Sequence, residues 1–320
     1  MIIDNFKGAE LPPINTISDY LKKEFNHKTI KLSIDGGFTC PNRDGTKGYG
    51  GCIFCSESGS GDMASSGDDI AEVLDSQIDI LSRKWPDAKY LAYFQSHTNT
   101  YAPVEILRKK YMDALSDSRI SGIVIATRPD CLEDDVLDLL SELNSKTFIW
   151  VELGLQTIHA QTSEFINRCY DLSIYDDTCN KLNERGIKFV THIILGLPGE
   201  SRKDMIDTVE YVCKSGTWGI KLHLLNITKN SRLAQTHSYY IPFESLEDYV
   251  NMVCDLLEII PYDVVIHRMT ADAPRKNLIS PPWSYRKRTI LNGIYHEMFR
   301  RGSVQGCKSD KAKRTKRVGG

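Results

Sequence analysis

Two periods of hydrophobic residues alternate along the chain. Short runs rich in β-branched and aromatic residues predict strands at 30–34, 89–95, 122–127, 148–156, 188–196 and 219–227. Stretches with apolar residues at every third or fourth position predict helices between them, at 70–84, 103–116, 133–144, 174–185 and 201–215. Nearly continuous apolar strands that alternate with amphipathic helices are typical of a parallel sheet with helical crossovers. Six such units predict an α/β fold, a partial (β/α)6 TIM-like barrel.

The pattern loosens after residue 227 and predicts a smaller C-terminal part. A helix at 243–260, a strand at 264–269 and a helix at 284–300 follow, with proline-containing turns before the last helix. We therefore expect a barrel core over 1–229 that carries a cofactor loop at 40–55. An α/β extension packed on the barrel is expected over 230–302, and a flexible basic tail over 303–320.

Composition excludes several classes of protein. The chain has 320 residues, of which 41% are hydrophobic and 26% charged, so it can bury a core and is not largely disordered. Its most apolar stretch, 189–197, is interrupted by Thr191 and His192 and is shorter than the ~18 residues of a membrane span. The first residues lack the basic, apolar and small-residue succession of a secretory signal. We therefore expect a cytoplasmic protein that does not enter a membrane.

The net charge of −2 is unevenly distributed. Residues 308–320 contain six basic residues and one acid, so the rest of the chain carries a net charge of −7. A basic tail on an acidic body is typical of a protein that binds a polyanion through a local surface. A solvated run of charge gives the same pattern, and both interpretations stay open at this point.

Three of the nine cysteines form one cluster: Cys40, Cys52 and Cys55 lie in a glycine-rich loop after the first predicted strand. Cysteines of a cytoplasmic protein are expected to be reduced, so clustered thiols indicate a metal rather than disulfides. A closed zinc site usually has four ligands, whereas a 4Fe–4S cluster held by three thiolates leaves one iron open. The loop is therefore a candidate iron–sulfur site, with a labile zinc site as the alternative. The other six cysteines are expected to be small apolar core residues.

Polar segments follow four of the predicted strands, at the point where each strand ends. They are QSHTNTY at 95–101, TRPD at 127–130, ELGLQT at 152–157 and GLPGE at 196–200. In parallel α/β folds, function collects at the carboxyl ends of the strands. These segments and the cysteine loop are therefore predicted to meet on one face.

Ordered motifs along almost the whole chain resemble one family. They are PNRDG at 41–45 before Cys52-x2-Cys55, YFQSHTNTYAP at 93–103, TRPDC at 127–131, WVELGLQT at 150–157, HIILGLPGE at 192–200 and GIKLH at 219–223. Over about residues 1–305 they resemble the YhcC-like radical S-adenosylmethionine (SAM) family, which is related to the catalytic subunit of Elongator. Within that family the chain is most similar to the MnmL-type enzymes of the tRNA wobble uridine. The family's usual spacing is Cys-x3-Cys-x2-Cys, whereas this chain has eight extra residues after Cys40.

The resemblance implies ligands and cofactor contacts. Cys40, Cys52 and Cys55 match the cluster ligands, and Phe54 matches the aromatic residue whose backbone approaches the adenine of SAM. Further SAM-binding positions are matched by Gln95, Glu152, Gln156, Gly196, Pro198 and Gly199. The Gly-Gly-Glu motif that many relatives have near the Gln95 position is absent, and no residue is identified as a catalytic hydrogen or proton donor.

The resemblance also implies a reaction. With a 4Fe–4S cluster and SAM, one electron cleaves the sulfonium bond, and a 5′-deoxyadenosyl radical abstracts a hydrogen atom from the substrate. The MnmL-type match implies tRNA as substrate, with a carboxymethylaminomethyl group at C5 of wobble uridine converted to an aminomethyl group. A flavodoxin or ferredoxin is the expected electron donor. Two other functions fit the same residues: a radical SAM enzyme on a small metabolite, and a non-catalytic RNA-binding protein with a structural metal.

Several of these residues also have a purely structural interpretation. Glu152 and Gln156 have the same parity on a strand and are suited to a buried hydrogen-bonded pair. Arg128 and Asp130 are suited to capping the helix that follows them. Three histidines in or near strands are typical core residues, namely His192, His223 and His267.

Overall fold

The computed structural model describes residues 12–56, 59, 64–67, 69–229 and 231–310. Over these residues the strands are β1 (Thr29–Ile34), β2 (Lys89–Phe94), β3 (Ile120–Thr127), β4 (Phe148–Gln156), β5 (Phe189–Leu195), β6 (Gly219–Leu224), β7 (Ile227–Thr228), β8 (Val265–Arg268) and β9 (Leu278–Ser280). The helices are α1 (Ile17–Phe25), α2 (Ile70–Ser82), α3 (Val104–Leu115), α4 (Asp134–Lys146), α5 (Ala160–Phe165), α6 (Leu172–Glu184), α7 (Arg202–Lys214), α8 (Arg232–Thr236), α9 (Leu246–Ile259) and α10 (Lys287–Arg300). The predicted α/β class is confirmed.

One sheet contains seven strands in the order β1-β2-β3-β4-β5-β6-β8. The sequence predicted six strands for this sheet and assigned the strand at 264–269 to a separate extension. Instead, β8 pairs in parallel with β6, so the C-terminal part adds a seventh strand. The chain also divides into two compact units, which we describe separately. We call Ser18–Leu155 with Ser163–Thr191 the N-terminal unit, and Gln156–Thr162, His192–Gly320 and the described residues before Ser18 the C-terminal unit.

In the N-terminal unit, β1, β2, β3 and β4 pair in parallel in chain order. Their core positions Leu32, Leu91 and Ile123 are 0% exposed, as expected for a sheet that is covered on both faces. Gly122 passes so close to β4 that a Cβ atom would lie 2.2 Å from the carbonyl oxygen of Phe148, so no side chain fits there. The parallel arrangement brings the carboxyl ends of these strands to one edge of the sheet, where the cysteine loop and segments 95–101 and 127–130 begin.

In the C-terminal unit, α9 and α10 pack against each other through buried side chains that include Val253, Ile290 and Ile294. The strand predicted at 219–227 ends earlier, at Leu224. Ile227 and Thr228 instead pair with β9 in a separate antiparallel two-stranded sheet. Within the described chain, none of the helices is both long enough and apolar enough to cross a membrane.

Residues 303–309 are packed, although the sequence assigned them to a flexible tail. The side chain of Gln305 is 2% exposed and donates to the carbonyl oxygens of Pro261 (2.9 Å) and Val264 (2.8 Å). The N–H of Lys308 donates to the carbonyl oxygen of Glu258 (2.7 Å), and the two side chains form an ion pair. The expectation of a free tail is therefore wrong for 303–309, because polar side chains there find buried backbone partners. Residues 311–320 lie outside the described residues.

Candidate functional site

The cysteine loop after β1 contains two tight turns. The carbonyl oxygen of Cys40 accepts hydrogen bonds from the N–H groups of Arg43 (2.8 Å) and Asp44 (3.3 Å). The N–H of Cys55 donates to the carbonyl oxygen of Cys52 (3.1 Å), so these two cysteines share one turn. All three cysteines are half-buried thiols that are not joined in disulfides. Phe54, also half-buried, lies within the second turn.

Hydrogen bonds to Asn167, which is distant in sequence, hold this loop in place. The fully buried Asn42 side chain donates to the carbonyl oxygen of Asn167 (2.5 Å) and lies 3.6 Å from the sulfur of Cys52. The Asn167 side chain in turn donates to the carbonyl oxygens of Tyr49 (3.1 Å) and Gly51 (2.8 Å). The sequence did not indicate Asn167, because a contact between residues 125 positions apart leaves no local pattern.

A buried cation lies beside the thiols. The Arg128 guanidinium, in a residue that is 8% exposed, donates two hydrogen bonds of 2.9 Å to the carboxylate of Asp130. Contact with Cys55 and burial raise the pKa of Cys52 well above its usual range, and the charge of Arg128 opposes that rise. Arg128 therefore favours negative charge at the thiols, which is the state of a metal-bound thiolate.

Arg128 occupies the N-cap position of the 3-10 turn Pro129–Cys131, but its side chain and that of Asp130 are used elsewhere. Among the described residues, neither the short 3-10 turn Pro129–Cys131 nor α4 has a side-chain hydrogen bond at its N-cap. Lys47 pairs with the same Asp130 carboxylate at 3.2 Å, and the Arg128 guanidinium lies 5.1 Å from the ring centre of Tyr170. The capping interpretation is wrong, because these side chains form a buried ion pair next to the loop.

The segment 95–101 lies against the cysteine loop. The N–H of Thr98 donates to the carbonyl oxygen of Thr39 (3.2 Å), and the hydroxyl groups of Thr46 and Tyr101 are 2.8 Å apart. Gln95 follows β2 directly, with its N–H bonded to the carbonyl oxygen of Ile34 (3.1 Å) and its side chain half-buried. The structure therefore places Gln95 and the cysteine loop at the carboxyl ends of neighbouring strands.

Buried polar atoms near the loop lack partners within the described part of the chain. They are Oδ1 of Asn42, Oγ of Ser96 and Oδ1 of Asn99, each in a residue that is 0% exposed. Native proteins rarely leave such atoms unpaired, because each costs about 1–3 kcal/mol. A polar ligand is one of the ways in which such atoms are satisfied. Together with three thiols and a buried cation, they fit a polar, sulfur-bound cofactor at this edge of the sheet.

Glu152 lies in the interior of the N-terminal unit and is 0% exposed. One carboxylate oxygen accepts from the Tyr93 hydroxyl (2.6 Å), and the other accepts from the Trp150 indole N–H (3.1 Å). The ammonium group of Lys31 is 3.7 Å from the second oxygen and lies over the Tyr93 ring at 4.7 Å. Because both oxygens already have partners, this geometry favours the structural interpretation of Glu152 over a direct contact with SAM.

In the C-terminal unit, the structure joins the residues after β4 to the loop after β5. Gln156 has a φ of 72°, which is uncommon for a residue with a side chain. The adjacent Thr157 hydroxyl donates to the carboxylate of Glu200, whose pKa burial raises. Gly196 has a φ of 83°, and a Cβ atom there would lie 2.8 Å from Pro242.

Pro198 and Gly199 lie in the same loop, which closes as a tight turn. The N–H of Glu200 donates to the carbonyl oxygen of Leu197 (3.1 Å). Gly199 has a φ of 87°, and a Cβ atom there would meet nothing described within 4 Å. The backbone of this loop is therefore a tight turn, and the space beside Gly199 permits close approach of a ligand.

The geometry also bears on the metal site and on the histidines. Among the described residues, no three His, Cys, Asp or Glu side chains converge closely enough to hold one metal ion. Because this includes the three cysteines of the loop, the zinc interpretation stays open beside the iron–sulfur interpretation. The histidine rings contact other rings: His192 and His223 are 5.0 Å apart, and His267 lies 4.9 Å from Trp218. These ring contacts favour core roles for the histidines.

Comparison with known proteins identifies the class. Residues 40–212 match the radical SAM superfamily, and residues 217–300 match the radical SAM C-terminal domain. This chain therefore belongs to the radical SAM superfamily. It is similar to protein YtqA of Bacillus subtilis, with 47% identity over 294 residues and 91% of each chain covered. It is also similar to protein YhcC of Escherichia coli K12, with 41% identity over 272 residues, which are 84% of this chain and 87% of that one.

More distant similarities link the chain to an Elongator protein, a tRNA-modifying synthase and one solved structure. Elongator complex protein 3 of Schizosaccharomyces pombe is 25% identical over 167 residues, 50% of this chain and 29% of that protein. The tRNA-2-methylthio-N(6)-dimethylallyladenosine synthase of Clostridium perfringens is 28% identical over 144 residues, 44% of this chain and 31% of that one. The structure of Methanocaldococcus infernus Elp3 with an N-terminal deletion has a TM-score of 0.67 at 15% identity, covering 87% of this chain and 64% of that one. The YhcC-like resemblance and the partial TIM-barrel fold class are confirmed.

Proposed function

We propose that this protein is a radical SAM enzyme that holds a 4Fe–4S cluster with Cys40, Cys52 and Cys55 and modifies the C5 side chain of wobble uridine in tRNA. The observation that carries the proposal is the loop of three cysteine thiols after β1, which lies beside a buried arginine. When bound, the cluster and SAM supply one-electron cleavage of a sulfonium bond and hydrogen abstraction.

The residues around the thiols have separate tasks in this proposal. Arg128, oriented by its two bonds to Asp130, supports the negative charge of the thiolates. Asn42, bonded to Asn167, holds the loop in the conformation that presents Cys52. Hydrogen bonds near a cluster and the charge around it set its potential, so both residues tune electron transfer.

The SAM contacts implied by the resemblance remain predictions for Phe54, Gln95, Gln156, Gly196, Pro198 and Gly199. Backbone conformation supports two of them: the positive φ of Gln156 is a strained position of the kind that collects at ligand sites, and the surroundings of Gly199 are open. Glu152 is proposed as a structural residue instead, because its carboxylate accepts hydrogen bonds from Tyr93 and Trp150. It holds these two side chains in the interior of the N-terminal unit.

Transfer RNA is proposed as the substrate on two grounds. The Clostridium perfringens relative is named as a tRNA-modifying synthase, and the MnmL-type motifs imply the wobble position. The specific conversion, from a carboxymethylaminomethyl to an aminomethyl group, rests on the motifs alone. A flavodoxin or ferredoxin is proposed as the electron donor.

The test is mass spectrometry of tRNA nucleosides from a strain that lacks this protein. We expect the precursor wobble nucleoside to accumulate and the aminomethyl product to disappear. A plasmid copy of the wild type should restore the product, a Cys52→Ala copy should not, and a Cys213→Ala copy should. A normal nucleoside profile in the deletion strain would contradict the tRNA assignment and favour a small-metabolite substrate.

A further inference from the structure

A basic and aromatic surface lies on the C-terminal unit, before and at the start of α10. It consists of Arg275, Lys276, Tyr285, Arg286 and Arg288, which we call the 275–288 surface. All five residues are exposed, in a chain whose net charge is −2. A local concentration of cations on an acidic protein requires an explanation, because like charges repel one another.

The four cations of this surface are not neutralised by carboxylates within the described chain. Asp272, three positions before Arg275, is already engaged by Lys287 at 3.0 Å and by Arg268 at 3.2 Å. Asp272 therefore neutralises charge on Lys287 and Arg268, and the 275–288 surface stays positive.

Tyr285 lies among these cations and is 40% exposed. The guanidinium of Arg275 lies 4.4 Å from the ring centre, and that of Arg286 lies 5.8 Å from it. The Arg286 side chain also contacts the Tyr285 hydroxyl at 3.5 Å. An exposed aromatic ring held by arginines is a rigid, planar contact area for another π system.

The start of α10 adds positive potential to the same surface. Helix α9 begins with the capping residue Ser245 and has Glu247 and Asp248 in its first turn, which offset the positive end of the helix. Helix α10 begins with Lys287 and Arg288, has no acid in its first turn and has no capping side chain among the described residues. Cations at a helix N-terminus are unfavourable unless an anion compensates them.

We propose that the 275–288 surface binds RNA, with its cations on phosphates and an unpaired base stacked on Tyr285. This inference rests on the proposed tRNA substrate and adds the place where the RNA is held. An acidic protein would satisfy the four cations, but its carboxylates offer no aromatic face to stack on the exposed ring. RNA supplies both groups in one segment, and base stacking on aromatic side chains is the usual way in which single strands are held.

The test is fluorescence anisotropy of the full-length protein with two labelled RNAs, measured over a range of salt concentrations. One probe is a hairpin with a tRNA anticodon loop, and the other is its stem as a blunt duplex without unpaired bases. Poly-glutamate is a third probe, for an acidic protein partner. The variants are Tyr285→Ala and the pair Arg286→Ala/Arg288→Ala. Their matched controls are Tyr239→Ala, an exposed tyrosine of the same unit, and Lys22→Ala/Lys23→Ala, two exposed cations of the other unit.

Each variant has a distinct expected result. Tyr285→Ala should weaken hairpin binding by about 5-fold to 150-fold, the range for loss of one stacked base, with an unchanged salt slope and no effect on the duplex. Arg286→Ala/Arg288→Ala should reduce the slope of log affinity against log salt by about 0.7 for each lost contact. Both controls should stay close to wild type.

Three results would contradict this inference, and they distinguish its failure from a failure of the proposed function. If wild type binds the hairpin and every variant binds it equally well, the 275–288 surface is not the RNA site, while the tRNA assignment stands. If wild type binds neither RNA, or binds only poly-glutamate, both are wrong. If Lys22→Ala/Lys23→Ala lowers the salt slope as much as Arg286→Ala/Arg288→Ala does, the effect depends only on the net charge of the protein. That result would also overturn the inference.

Discussion

Replacement of Glu152 by glutamine tests whether this residue supports the fold or touches SAM. At 3.7 Å and an effective dielectric constant of about 20, the attraction between Lys31 and Glu152 is about 4.5 kcal/mol, before the cost of burying the carboxylate. Glutamine has one acceptor oxygen for two donors, Tyr93 and Trp150, so a charge-assisted hydrogen bond worth about 1.5–3 kcal/mol is also lost. Glutamine also avoids the cost of burying the carboxylate charge, which is several kcal/mol and offsets most of these two losses. We therefore expect Glu152→Gln to lower the free energy of unfolding by about 2 kcal/mol, and Glu152→Ala to lower it by about 3–5 kcal/mol.

Urea denaturation of the reduced apoprotein measures this loss, and equilibrium dialysis of SAM with the reconstituted protein measures the alternative. The matched control is Glu142→Gln, which breaks an exposed pair with Arg108 and Lys146 and should cost less than about 1 kcal/mol. A double-mutant cycle with Lys31→Met should give a coupling of about 0.5–3 kcal/mol. An unchanged urea midpoint in Glu152→Gln, combined with a loss of SAM binding, would refute the structural role.

Three further predictions follow from other contacts. Arg128→Gln should make the midpoint potential of the bound cluster more negative in a redox titration, and Asp130→Asn should shift it the other way, since a nearby cation stabilises the reduced state. Burial raises the pKa of Glu200, so this residue stabilises the fold below the ordinary glutamate pKa of about 4.3. That stabilisation is lost as the pH rises through the higher pKa of the folded state. In Glu200→Gln the urea midpoint should therefore depend less on pH over that range. Deletion of 311–320 leaves the Lys308–Glu258 pair intact. It should lower the slope of log tRNA affinity against log salt concentration and leave SAM cleavage without tRNA unchanged. An identical slope would show that this segment is a solvated end.

The regular elements could be predicted from the sequence because their burial is periodic. Strand β4 was predicted at 148–156, its observed bounds, since its residues are apolar on both faces. The strand at 219–227 was overextended, because Ile227 is as apolar as its neighbours although it pairs with a different sheet. The seventh strand was predicted as an element but was assigned to a separate extension rather than to the main sheet. The pattern of a single strand does not reveal which sheet edge it joins.

The candidate site could be predicted in part. Three thiols in a glycine-rich loop are a local signal, and none of the three is joined in a disulfide among the described residues. The position of Arg128 beside the thiols was not predicted, because Arg128 is distant from them in sequence, and the capping interpretation considered only its neighbours along the chain. The roles of Asn167 and Tyr93 depend on tertiary contacts across 125 and 59 positions, which no single-sequence pattern encodes.

The most direct test of the central claim is anaerobic reconstitution of the cysteine loop. Iron content and 5′-deoxyadenosine release should be measured per chain for the wild type and for each single cysteine variant. We predict about four iron atoms and SAM cleavage in the wild type, and the loss of both in Cys40→Ala, Cys52→Ala and Cys55→Ala. Cys213→Ala, which removes a half-buried thiol outside the loop, should retain both. Full iron content and SAM cleavage in any of the three loop variants, or a wild type that holds a single zinc ion and cleaves no SAM, would contradict the account.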